Sequence, residues 1–224
     1  MSAGKGQVLE LILEDGFRYA RVTCPPNLVP LPGQYLLASD GTDSPLPVPL
    51  FYTDSAPQGF VAVTPAASKW MPGLELDLRG PLGRGFSLSL AARRVGLVAF
   101  DDSPARLRGL IRPALKQDAA VVLVSSSAPD HLPDDVEVQP LSTLSDILAW
   151  ADYVAFDVSR ENLHQLREQV GKQNQLVSRM AVQVLIRTPV PCGGIAECGV
   201  CAVTLKSGWK LACKDGPVFD WGEL

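Results

Sequence analysis

The chain opens with short runs in which apolar and polar residues alternate: Val8–Leu13, Phe17–Thr23, Gln34–Ala38, Phe60–Thr64 and Glu75–Arg79, separated by Pro and Gly. Alternation with a period of two buries one face of a strand, and closely spaced short strands close into an antiparallel barrel or sandwich. The tract Ser44-Pro-Leu-Pro-Val-Pro-Leu50 cannot supply regular ladder donors at its prolines, so it reads as an edge or loop ahead of Phe51 and Tyr52.

After about Arg93 the rhythm changes. Val95–Phe100 is a continuous apolar run, and Ser103-Pro104 is a start signal for a helix reaching about Gln117. Ala119–Ser125, Val136–Val138, a helical Leu141–Trp150, Tyr153–Phe156, a helical Ser159–Val170 stopped by Gly171, and Ala181–Ile186 complete a strand–helix alternation. That order predicts a doubly wound parallel sheet. The expected division is a β-barrel over 1–92, an α/β unit over 93–187 and a small cysteine module over 188–224.

Composition narrows the function classes. With 46% apolar and 20% charged residues, the 224-residue chain can bury a substantial core. A net charge of -4 gives no positive field for nucleic acid or an anionic membrane surface, and neither partner is expected. No run approaches the roughly 18 apolar residues of a spanning helix, so a cytoplasmic location is the expectation. Five cysteines is an odd number, and four of them crowd into the last part of the chain, which suits a metal site better than a disulfide framework.

Those four, Cys192, Cys198, Cys201 and Cys213, are spaced C-x5-C-x2-C-x11-C. Three thiols on a Gly-rich loop resemble the C-x4-C-x2-C part of plant-type ferredoxins, in which thiolates hold a [2Fe–2S] cluster. Gly193, Gly194 and Gly199 let the backbone bend round such a group with its N–H groups toward sulfur. Ala202–Lys206 and Trp209–Cys213 read as a hairpin about Ser207-Gly208; pairing Lys206 with Trp209 sets Cys213 opposite Ala202, next to Cys201. Structural zinc is the rival occupant, although zinc ribbons carry two C-x2-C knuckles and this chain has one. Cys24 reads as an inert core thiol. His131 and His164 form no recognisable catalytic set with any nucleophile, so no catalytic residue is expected on this chain.

The run from Cys192 to Cys201, followed by Gly208-Trp-Lys-Leu-Ala-Cys-Lys-Asp-Gly-Pro-Val-Phe-Asp220, resembles the iron–sulfur module of the electron-transfer subunit of class 1B dihydroorotate dehydrogenase. Gly80-Pro-Leu-Gly-Arg-Gly-Phe86 is similar to the end of that family's ferredoxin-reductase-like flavin barrel, and the resemblance spans essentially the whole chain. It implies electron transport: FAD at the barrel–α/β junction, a [2Fe–2S] relay, and an FMN-containing catalytic subunit as hetero-oligomeric partner in pyrimidine biosynthesis.

Three departures from the family pattern modify that expectation. The first cysteine gap is x5 where the family shows x4. The family's pyrophosphate-binding Arg ahead of the Tyr-Ser pair is absent from Leu50-Phe-Tyr-Thr53, and its phosphate-cradling turn is cut down to Thr64-Pro-Ala-Ala-Ser-Lys-Trp70, which leaves Tyr52 and Thr53 as the flavin contacts to expect. In the α/β unit Phe100 opens onto Asp101-Asp-Ser-Pro instead of a Gly-rich turn. Two carboxylates there repel a dinucleotide by on the order of 1 kcal/mol per close pair in water, so NAD(H) binding is expected to be weak or lost. Asp101 and Asp102 also suit the N-terminus of the following helix. The rival functions are a complete NADH-dependent flavin reductase and a zinc-stabilised non-redox interaction module. Phe219 and Trp221 are expected either to form a docking surface or to pack back onto the barrel.

Overall fold

The structure, a computed structural model, describes residues 2–14, 16–41, 46–64, 69–101, 103–126, 129 and 131–224. Six antiparallel strands form a closed barrel: β1 (Ser2–Glu14), β2 (Phe17–Thr23), β3 (Tyr35–Ser39), β4 (Val48–Ala56), β5 (Gly59–Thr64) and β6 (Glu75–Leu82), in the order β1-β2-β5-β4-β3-β6. Closure removes the sheet edges that would otherwise be open to aggregation. The inward positions, among them Val8, Val22, Leu36, Leu50, Phe60 and Leu76, are fully buried and make one core.

Within the barrel, β4 departs from the expected edge or loop. It is a nine-residue interior strand, although Pro49 lies within it. Pro49 pairs with Leu37 on β3, and the ladder to β5 starts only at Phe51. The missing N–H therefore falls where the strand is bonded on one side, a position proline tolerates. Ser44 and Pro45 of the same tract lie outside the described residues.

The second half contains β7 (Arg94–Ala99), two short helices α1 (Ala105–Arg108) and α2 (Ile111–Lys116), β8 (Ala120–Val124), β9 (Val136–Gln139), α3 (Leu144–Trp150), β10 (Tyr153–Ser159), α4 (Leu163–Gly171), α5 (Asn174–Val177) and β11 (Ala181–Arg187). The five strands run parallel in the order β11-β10-β7-β8-β9. Their near-continuous burial, complete for Val154, Ala155 and Phe156, is what helices on both faces of a sheet require. The expected single helix to Gln117 is broken at Gly109, where an added Cβ would stand 2.7 Å from the Tyr52 ring. Gly109 and Leu110 keep right-handed helical dihedrals, and the interruption falls where Pro113 has no N–H to offer the Gly109 carbonyl four residues back.

The last part contributes the hairpin β12 (Ala202–Leu205) and β13 (Gly208–Leu211), then β14 (Val218–Asp220). The strand β14 adds antiparallel to β11 as the sixth strand of the large sheet. Phe219, 1% exposed, pairs with Val184, and Trp221 packs its ring 6.4 Å from that of Phe156. Phe219 therefore belongs to the α/β core, and Trp221 packs half-buried against that core and not onto the barrel.

Candidate metal centre

Residues 188–201 wrap as turns between β11 and β12, and their path is set by residues with left-handed backbone: Gly193 (φ +63°), Gly194 (φ +73°), Ala196 (φ +65°) and Gly199 (φ +69°). Successive N–H groups in such a loop converge on one concavity that favours a negative charge. Here the charge is sulfur. Burial raises the Cys192 thiol, but the Cys198 thiol and the N–H groups of Cys198, Glu197 and Ile195 outweigh it, leaving Cys192 lowered to about 6.

The fourth thiol arrives on the hairpin. Its register is Ala202 with Leu211 and Leu205 with Gly208, so the turn is Lys206-Ser207 and not the expected Ser207-Gly208. The shift leaves the intended neighbour in place, because the Ala212 N–H donates to the Cys201 carbonyl at 3.0 Å and Cys213 follows at once. Cys213 is pushed up to about 12 by burial, by a hydrogen bond with the Cys201 thiol and by the charges of Cys201 and Cys192, against the Ala196 N–H.

The four thiols thus meet as two pairs, Cys192 with Cys198 and Cys201 with Cys213. Among the described residues no three His, Cys, Asp or Glu side chains converge as a single-ion site. Four thiols in two neighbouring pairs would hold two metal ions, as a [2Fe–2S] cluster requires. One pair faces out, with Cys198 exposed, while Cys201 and Cys213 are buried in the α/β core beside Val203, Leu205 and Phe219. The arginines at 160 and 167 donate to the carbonyls of Val200 and Thr204, both at 2.5 Å, and fasten the module to α4 and to the turn that precedes it. Beside Cys192 a cleft of about 780 Å³ opens between the loop and the barrel, with Lys5 and Arg79 in its lining.

The barrel supplies a residue that sequence reasoning missed. Tyr35 on β3 is 1% exposed; its ring packs on Phe51, centroids 5.2 Å apart. Burial and then the charges of Cys213, Cys201 and Cys192 push its hydroxyl well above the usual tyrosine range. Only the tertiary meeting of β3 with the cysteine loop reveals it; a Tyr at a strand start carries no local signal. Cys24 lies in the barrel core, its thiol pushed up to about 11 by burial, away from the other four.

At the barrel–α/β junction, Tyr52 stacks on Phe60 with centroids 6.2 Å apart and is covered by Gly109, while Thr53 is 1% exposed. Leu50, at the start of the departed flavin motif, is fully buried in the barrel. Two ion pairs clamp the junction, Arg108 to Glu14 at 2.9 Å and Arg112 to Asp54 at 3.4 Å. Among the described residues the Thr53 hydroxyl is buried without a hydrogen-bond partner, the kind of group that contact with a bound flavin would complete. Residues 65–68, where the expected phosphate turn falls, lie outside the described residues.

The carboxyl ends of β7 and β10, where an open α/β sheet receives its ligand, carry an internal ionic network. Asp157, fully buried, meets Arg106 at 2.8 Å and Arg187 at 2.9 Å. Asp101 accepts from the Ser159 N–H at 2.5 Å, from the Asn162 side chain at 2.8 Å and from Arg187. Asp101 therefore supports the turn that leads into α4 instead of the helix that follows it in sequence, and Asp102 lies outside the described residues. A charged residue inside the apolar run Phe156-Asp-Val158 was the available signal, since a buried carboxylate requires partners. His131 and His164 are exposed.

No helix among the described residues is long and apolar enough to cross a membrane. Comparison with known proteins places the metal-centre segment first: residues 192–224 match the iron–sulfur cluster binding domain of dihydroorotate dehydrogenase B. The chain is 25% identical to the electron transfer subunit of dihydroorotate dehydrogenase B (NAD(+)) from Clostridium perfringens, with 73% of this chain and 72% of that one covered. Among solved structures it is similar to an NADH-dependent reduced ferredoxin–NADP oxidoreductase (TM-score 0.73, 18% identity, 97% of this chain and 88% of the other). It is also similar to the ferredoxin reductase of carbazole 1,9a-dioxygenase (TM-score 0.58, 17% identity, 76% and 64% covered). The chain thus has a ferredoxin-reductase-like fold, ends in a segment that matches the iron–sulfur cluster binding domain of dihydroorotate dehydrogenase B, and is similar to an electron transfer subunit of that enzyme.

Proposed function

We propose that the chain relays electrons to or from a flavin-containing catalytic subunit, dihydroorotate dehydrogenase, through a [2Fe–2S] cluster ligated by Cys192, Cys198, Cys201 and Cys213. The observation that carries the reading is the meeting of three thiols on one N–H-lined loop with a fourth that the hairpin brings beside Cys201. When bound, such a cluster takes up and returns one electron at a time.

Each part of the chain has a task in this reading. The left-handed loop residues aim N–H groups at thiolate sulfur, which stabilises negative charge there. The buried pair anchors the centre to the α/β core and excludes water from that side, while the loop around Cys192 and Cys198, with half-exposed Ile195 and Val200, presents the outer side to a partner. An FMN-containing partner subunit in a hetero-oligomer, working in the cytoplasm where thiols stay reduced, completes the proposal. Tyr52 and Thr53 would line a flavin site on this chain, and no electron step is routed through them.

The test is anaerobic transfer. The chain, reduced with dithionite and freed of excess reductant, is mixed with a dihydroorotate dehydrogenase catalytic subunit while flavin absorbance is followed. Bleaching of the partner's flavin, absent with Cys201→Ser, is expected. An unchanged flavin spectrum with a chain that holds its full iron and sulfide would overturn the relay.

A further inference from the structure

We infer that the Tyr35 hydroxyl donates a hydrogen bond to sulfur at the metal centre, and that this bond favours the reduced form of the centre. The inference rests on the four-cysteine reading and adds a barrel residue to it.

Three observations carry it. Among the described residues the Tyr35 hydroxyl is a buried polar group with no hydrogen-bond partner. A buried hydroxyl without a partner is uncommon, and each instance points to a group that completes it. The hydroxyl is directed at the cysteine loop: an added Cβ on Gly194 would stand 3.6 Å from it, and the charged groups that act on it are the thiols of Cys213, Cys201 and Cys192 and, in the opposite sense, the Arg79 guanidinium. Its ring is held in that direction by Phe51 and by the small core that it shares with Leu37 and Leu82.

A phenol is a donor to whatever anionic acceptor stands there. Hydrogen bonds strengthen with the negative charge of the acceptor, so a donor fixed beside thiolates and sulfide favours the state that carries one more electron. The rigid setting makes Tyr35 a positioning and tuning residue rather than a ligand, since the oxygen sits on the barrel and sulfur fills the coordination positions. Removing only the hydroxyl leaves the ring and its packing on Phe51 unchanged.

Redox titration of the anaerobically purified full chain tests this. Tyr35→Phe is expected to make reduction about tenfold less favourable, a potential about 59 mV lower for one electron. Placing 3-fluorotyrosine, a stronger donor of nearly the same size, at position 35 is expected to shift the potential the other way. Transfer to D2O should move the iron–sulfur vibrational bands of the native chain and move them less in Tyr35→Phe. A folded, fully loaded Tyr35→Phe with the native potential would overturn the inference; if that variant does not load, an unshifted potential with fluorotyrosine does so. Zinc without sulfide in the native chain would instead overturn the four-cysteine redox reading itself.

Discussion

Replacing Phe219 with Ala tests whether the last strand is part of the body that holds the metal centre. Phe219 is 1% exposed, pairs with Val184 on β11 and lies in the same core as Cys201 and Cys213. Its ring lies directly against the Gly216 backbone, where an added Cβ would stand 2.4 Å away, so the surroundings cannot collapse easily into the space the ring leaves. Truncation of a buried Phe costs about 3–5 kcal/mol, against about 5–15 kcal/mol for the stability of a whole domain. At about 2–4 °C per kcal/mol for a chain of this size, the melting temperature should fall by roughly 6–20 °C. The assay is thermal and urea unfolding of the loaded chain, followed by tryptophan fluorescence and by loss of visible absorbance. The two signals should shift together, because β14 and the buried thiol pair share one core. Loss of partner affinity with a stability change below about 1 kcal/mol would refute this packing account and restore Phe219 as a docking residue.

Three further perturbations follow from the same structure. Asp157→Asn leaves Arg106, 8% exposed at its side chain, without its counter-charge and should cost about 3–5 kcal/mol in urea unfolding; a neutral result would show that the buried network is not needed. Gly194→Ala places a Cβ 3.2 Å from Leu82 at a left-handed position, so iron and sulfide per chain should fall while the far-ultraviolet circular dichroism stays native. Asp220 is raised by burial, but hydrogen bonds from Gln183 and Arg84 and the Arg84 charge outweigh this and depress it. A depressed carboxylate contributes stability above its ordinary value near 3.8 and loses it as pH falls through the folded value, so the deficit of Asp220→Asn seen in unfolding at pH 7 should shrink toward pH 3.

The parts of this molecule that were legible in sequence are those written in local patterns. The alternating runs gave five of the barrel strands, and the strand–helix rhythm gave the parallel sheet. Cysteine spacing gave the thiols and their approach, even though the hairpin pairs Ala202 with Leu211 and not with Cys213. What escaped depends on partners distant in sequence. The strand β4 contains Pro49, whose tolerance follows from which neighbour bonds it, and β14 is three residues whose conformation is set by β11. Gly109 is kept small by the Tyr52 ring against it, and Tyr35 comes beside the thiols only when the cysteine loop passes over β3. Asp101, expected at the helix next to it, instead serves the turn after β10.

The central claim is that four paired thiols hold a redox cluster, and the most direct measurement is the composition of the anaerobically purified chain, with iron, sulfide, zinc and released flavin quantified in the sample whose visible spectrum is recorded. The account predicts two irons and two sulfides per chain, with visible bands that fade on reduction and are lost in Cys201→Ser. Stoichiometric zinc with no sulfide would contradict it and leave the cysteine loop as a structural element.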